Sequence, residues 1–158
     1  MPSQDLAFFQ EWFNNKLPHN AALGTRLITM REGAAVMQLD WAPHLVGDPD
    51  TGILAGGPIT VLLDFCCGMS VATRMSVITA FATLDLRIDY ARPAEPRKPV
   101  IAEAECYRLT ANVAFTRAIA HQGDPSRLGA AAAGTFMLAT KGAALPSAGH
   151  SAAAKGTP

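Results

Sequence analysis

This chain of 158 residues has little charge, no basic block and no long apolar run, and each shortage closes off a class of function. Charged side chains make up 16% of it, against about 25% in an average soluble domain. The 13 basic and 13 acidic residues cancel. No Lys/Arg cluster or basic stripe with interleaved aromatics occurs, so a nucleic-acid partner has no electrostatic footprint. Every apolar stretch breaks well short of the ~20 residues a membrane span needs. The opening "MPSQDLAFFQEWF" lacks the positive flank and small-residue cleavage site of a signal peptide, so a cytoplasmic protein is expected.

Cysteine and histidine are scarce too. Cys66, Cys67 and Cys106 offer neither a disulfide framework nor a metal-binding spacing, which leaves core packing as their expected role. His19, His44, His121 and His150 are scattered, so metal chemistry and a Ser/His/Asp triad lack support. No metal or cofactor is expected.

Hydrophobic residues are abundant, at 49%. With so little charge, more surface than usual is expected to be covered by another subunit, and the length suits one domain. Leu6, Phe9, Trp12 and Phe13 recur at helical spacing until Pro18, which predicts an N-terminal helix over 1–18. "TRLITM" and "AAVMQLDW", flanking "REG", predict a β-hairpin. "APHLVGDPDTG" reads as a loop. After Gly56-Gly57, Pro58 suits the first helical position, and the apolar run beyond it predicts a helix enclosed on nearly every side. In "TLDLRIDY", Leu84, Leu86, Ile88 and Tyr90 alternate with Thr83, Asp85, Arg87 and Asp89, the pattern of a half-buried strand. "VIAEAECYRL", "VAFTRAIAH" and "LGAAAAGTFML" predict further strands. The stretch 141–158, rich in Ala, Gly, Ser and Pro, predicts a disordered tail. The expected fold class is α+β, an antiparallel sheet wrapped around one long central helix over 19–140.

One carboxylate interrupts the central helix. A helix middle has no free N–H to satisfy Asp64, and burying a carboxylate without a partner costs several kcal/mol, so it needs a partner from elsewhere. Carboxylates beside a ligand cleft serve as general bases or nucleophiles. Gly56 and Gly57 allow a ligand to approach the backbone, and the unpaired N–H groups of a helix start can hydrogen-bond an oxygen gaining negative charge, although Gly-Gly-Pro is also ordinary capping grammar. Asp64 lies about 10–12 Å along the helix from Gly56. The two cannot meet at one carbonyl within a subunit. Two such helices running antiparallel across a two-fold axis would bring the glycine end of one to the aspartate of the other.

"GILAGGPITVLLD", "ATLDLRIDYARPA", "AEAECYRL" and "AAAAGTFML", in that order, resemble the PaaI-like (phenylacetate-degradation) branch of the hotdog-fold acyl-CoA thioesterases. The resemblance runs from about Leu23 to Leu138. It implies hydrolysis of acyl-CoA by a homodimer, with a tetramer of paired dimers as the alternative. It further implies Gly56 as oxyanion-hole donor, Asp64 of the opposite subunit as base or nucleophile, and Thr83 as the hydroxyl that holds the water. Gly57 and Ala55 would border the substrate. Arg92, Arg97, Lys98 and Arg108 are candidates for meeting the coenzyme phosphates.

Two departures from the family stand out. Ala55 occupies the place of the family's histidine, and "GDPDTG" lacks its upstream asparagine. Asp48 and Asp50 are either replacements for that polar group or plain turn residues. A non-catalytic acyl-CoA binder is the alternative that the lost histidine favours. A thioester dehydratase fits less well, because neither the helix nor the long strand carries a histidine.

Overall fold

The computed structural model describes residues 7, 9–11, 13–14 and 16–139. The described residues between 7 and 14 are helical; Leu6 and Trp12 of the apolar pattern, and the 141–158 stretch, lie outside the described set. Pro18 does not close that helix but opens a second one, α1 (Pro18–Leu23). Proline suits a first helical position, where its missing N–H costs nothing, and Gly24 at φ 71° ends the helix in a left-handed turn.

Strands β1 (Thr25–Arg31) and β2 (Ala34–Leu39) form the hairpin. The region read as a loop holds more order than its turn chemistry shows: a 3-10 turn at Pro43–Leu45 and a small hairpin of β3 (Val46–Asp48) and β4 (Ile53–Leu54). The central helix α2 (Gly56–Ala72) follows, then β5 (Phe81–Tyr90), β6 (Val100–Leu109), β7 (Val113–His121) and β8 (Ala130–Leu138). Six strands make one antiparallel sheet in the order β1-β2-β6-β7-β8-β5, curled around α2.

The inward positions of the middle strands are small. Ala102, Ala104, Ala114, Ala118, Ala120, Ala130 and Ala132 are all buried, which lets the helix settle close to the sheet. At Gly134 even a methyl group would come within 2.9 Å of Thr116 Oγ1. The bulk comes from α2 itself, through Ile59, Leu62, Leu63, Cys66 and Met69, with Met37, Leu39 and Phe136 facing it. Each large side chain fully buried in this way contributes about 1.5–3 kcal/mol.

The three cysteines are free and buried. Cys66 Sγ donates toward Ala35 O and Ala102 O, at 3.3 and 3.4 Å. Burial pushes the Cys66 thiol well above its ordinary range and that of Cys67 to about 11, so both stay protonated and unreactive near neutrality.

Candidate active site

The central helix is not enclosed all round. Gly56, Gly57 and Thr60 are exposed, and Val61, Asp64 and Phe65 are half-buried, while the rest of the helix from Leu62 onward is sealed. Positions 57, 60, 61 and 64 share one helical face, so the exposure forms a continuous stripe. Its apolar members misled the sequence reading: periodicity reports that a face is apolar, not what covers it.

At the head of this stripe the helix leaves two amide protons without partners. Ala55 is the N-cap and makes no side-chain cap bond; its own N–H is taken by Leu45 O at 2.9 Å. Ile59 N–H makes the first intrahelical bond, back to the N-cap carbonyl. Pro58, the third helical residue and not the first, has no N–H. Gly56 and Gly57 remain, and neither N–H meets an acceptor among the described residues. The β3–β4 hairpin holds the N-cap in place: a Cβ on Gly47 would lie 2.9 Å from Ala55 Cα, so only glycine permits this approach.

Two turns along, Asp64 has the external partner that its position demands. Thr83 Oγ1 donates to Asp64 Oδ1 at 2.8 Å. Strict alternation along β5 would put Thr83 on the face opposite Leu86. A β-bulge between Thr83 and Asp85 changes that, setting Thr83 across from Phe136, whose side chain points into the core, and leaving Leu84 58% exposed. The extra residue thus turns Thr83 toward the helix. At its other end β5 contacts the helix again, where Tyr90 Oη donates to Gly56 O at 2.8 Å and lies 2.9 Å from Thr60 Oγ1. Tyr90 and Thr60 escaped sequence reasoning, because nothing local links positions 30 or more apart.

The predicted cations divide. Arg92 and Lys98 line a recess of about 60 Å³ beside the helix start, together with Ile59, Tyr90, His121 and Arg127. Arg127 was also missed; it reaches Glu95 Oε1 at 3.2 Å, and Lys98 pairs with the same carboxylate. The Lys98 ammonium, then Arg127, hold the Glu95 carboxyl below the usual range. Arg97, at φ 60° in the preceding turn, does not line the recess. Arg108 belongs to the far end of β6, across from Phe115, and is not brought to this cluster.

Asp48 is committed to its own turn, accepting from Thr51 Oγ1 at 2.6 Å and Asp50 N–H at 3.2 Å, and these bonds lower its pKa. Asp50 stays exposed in the same turn. His121 is buried: its Nδ1 accepts from Gly123 N–H at 3.2 Å, so Nε2 carries the proton toward Glu103 Oε1 at 3.1 Å. Among the described residues no cluster suited to a metal ion occurs, and no helix is long and apolar enough to cross a membrane.

A family model described as "Thioesterase superfamily" matches residues 51–128, a span that holds every residue of the helix stripe and of β5. The chain is similar to the medium/long-chain acyl-CoA thioesterase YigI of Salmonella typhimurium and to that of Escherichia coli K12. Each is 30% identical over 148 residues, covering 85% of this chain and 94% of the relative. Among solved structures, a protein from Pseudomonas aeruginosa aligns with TM-score 0.75 and 40% identity, over 85% of this chain and 98% of that one. The Escherichia coli PaaI protein from the phenylacetic acid degradation operon aligns with TM-score 0.74 over 87% of this chain and 93% of that one; at 18% identity it speaks for the fold alone.

Proposed function

The chain belongs to the thioesterase superfamily and is a hotdog-fold hydrolase of thioester bonds, and on that premise we propose that it cleaves acyl-CoA in a site shared by two copies of itself. The observation that carries this reading is the open stripe of α2. It offers two unpaired glycine N–H groups at one end and a half-buried carboxylate at the other, about 12 Å apart. Neither group completes a site alone. Antiparallel apposition of two stripes, with the free edges of two β5 strands alongside, brings the Gly56 N–H of one copy to the Asp64 of the other and builds two equivalent sites.

In such a site the thioester oxygen sits at the Gly56 N–H, and Asp64 takes a proton from water as the water oxygen bonds to the carbonyl carbon. The carbon–sulfur bond then breaks, and the proton passes to the departing thiolate, giving free acid and coenzyme A. Direct attack by Asp64, forming an anhydride that water then opens, is the other route to the same products. Thr83 keeps the carboxylate aimed in either case. Arg92, Lys98 and Arg127 line the recess beside the helix start, which supports them as the cations that meet the coenzyme phosphates. A medium or long acyl chain is the substrate class proposed, from the two thioesterase relatives. The free, buried cysteines suit the reducing cytoplasm.

Thiol release from a panel of short, medium, long and aromatic acyl-CoAs tests this. Turnover should fall about 10²–10⁴-fold in Asp64→Asn with the circular dichroism spectrum unchanged. A fully active Asp64→Asn would remove the carboxylate from the mechanism, and saturable binding without thiol release would make the protein an acyl-CoA binder.

A further inference from the structure

We propose that Tyr90, backed by Thr60, is a positioning residue that fixes and polarises the Gly56–Gly57 peptide, making the Gly57 N–H a second donor to the thioester oxygen. The inference rests on the reading of the site given above.

Three contacts tie two hydroxyls to one carbonyl and to each other. Tyr90 Oη donates to Gly56 O at 2.8 Å, while Thr60 Oγ1 stands 3.1 Å from the same oxygen and 2.9 Å from Tyr90 Oη. Each hydroxyl has one proton, so with Tyr90 donating to the carbonyl, Thr60 donates either to Tyr90 or beside it. Both arrangements pull electron density toward Gly56 O, and successive hydrogen bonds strengthen one another.

The Gly56 carbonyl and the Gly57 N–H belong to one planar peptide unit. Holding the oxygen therefore fixes the direction of that N–H, and drawing density onto the oxygen makes the N–H a stronger donor. The two glycines also differ in what surrounds them. A Cβ on Gly56 would meet Tyr90 Oη at 3.3 Å and Cζ at 3.5 Å, whereas one on Gly57 would meet nothing within 4 Å. Gly56 is thus shaped to the tyrosine, and Gly57 opens onto the substrate side. With no side-chain bond from the N-cap Ala55, Tyr90 from one side and the β3–β4 hairpin from the other add to the intrahelical bonds that hold this first turn.

The test starts from Tyr90→Phe, which keeps the ring and removes only the hydroxyl. With the best acyl-CoA of the panel, kcat should fall about tenfold while KM stays within about twofold, and sedimentation should match the parent. Thr60→Val should lower kcat by a smaller factor and Thr60→Ser should restore it. Gly56→Ala should cost more in the parent than in the Tyr90→Phe background, because the crowding atom is the hydroxyl. An unchanged kcat in Tyr90→Phe, an equal cost of Gly56→Ala in both backgrounds, or a loss of assembly in Tyr90→Phe would each overturn the proposal. If the parent releases no thiol from any acyl-CoA, the hydrolase reading fails separately. Positioning is then read from the Gly57 amide proton, which should move upfield in Tyr90→Phe while that of the remote Gly123 stays put; an unmoved Gly57 resonance rejects it.

Discussion

At one edge of the sheet, side chains from the N-terminal helical residues occupy the outward backbone groups of β1. Gln10 Nε2 donates to Leu27 O at 3.2 Å and Ile28 O at 3.1 Å, and Asn14 Oδ1 accepts from Leu27 N–H at 3.2 Å. A bulge between Leu27 and Thr29 further spoils that strand as a template. At the opposite edge, β5 runs for 10 residues, pairs only with β8, and leaves Leu84 and Tyr90 more than half exposed. Among the described residues nothing covers its outer backbone. An exposed strand edge invites pairing with another chain, and proteins commonly blunt it. This one blunts a single edge. The difference is what the proposed pairing with a second copy requires: one side guarded against chance association, the other left open.

Charge placed on the open edge should break the comparison most strongly. If each site draws on two copies, as proposed, Leu84→Lys should give monomers in sedimentation and take nearly all thioester hydrolysis with it. Monomers that keep full activity would show that the catalytic groups meet within one chain. A finer cut separates the edge of β5 from its inner face. Thr83→Val removes the hydroxyl on Asp64 without touching the edge, and should lower kcat about tenfold with the assembly intact, whereas Thr83→Ser should retain activity. The smallest effect belongs to the guarded side. Gln10→Ala with Asn14→Ala should cost about 1–3 kcal/mol in chemical denaturation and raise aggregation on heating, yet leave kcat unchanged.

Most of the architecture was legible in the sequence because it is written in local periods. The alternation in β6 and β8, the apolar run of α2 and the turn residues between strands all act within a few positions. The site was legible only in part. Gly56, Gly57 and Asp64 stand out because each breaks a local rule, and Thr83 came from the family resemblance. Tyr90, Thr60 and Arg127 break none, and their contacts arise only when β5 and the turn before β8 close on the helix start. The alternation in "TLDLRIDY" pointed the wrong way at Leu84, because a bulge is decided by the pairing of two strands and leaves no mark in one of them. The helix was misread as enclosed for a related reason: Val61 is apolar on a stripe that this chain leaves half-open.

Pro58 bears on what the helix start can hold. Phosphate and sulfate groups bound at helix starts are gripped by several consecutive amides fanned around a multi-oxygen anion. Here the third position of the turn contributes no hydrogen, the first intrahelical bond uses the next, and the loop carbonyl of Leu45 uses the one before. A pair of adjacent protons remains, enough to grip a single oxygen and too few to cup a tetrahedral anion. The imino acid at this position thereby suits the helix start to a single carbonyl oxygen, as the proposed reaction requires.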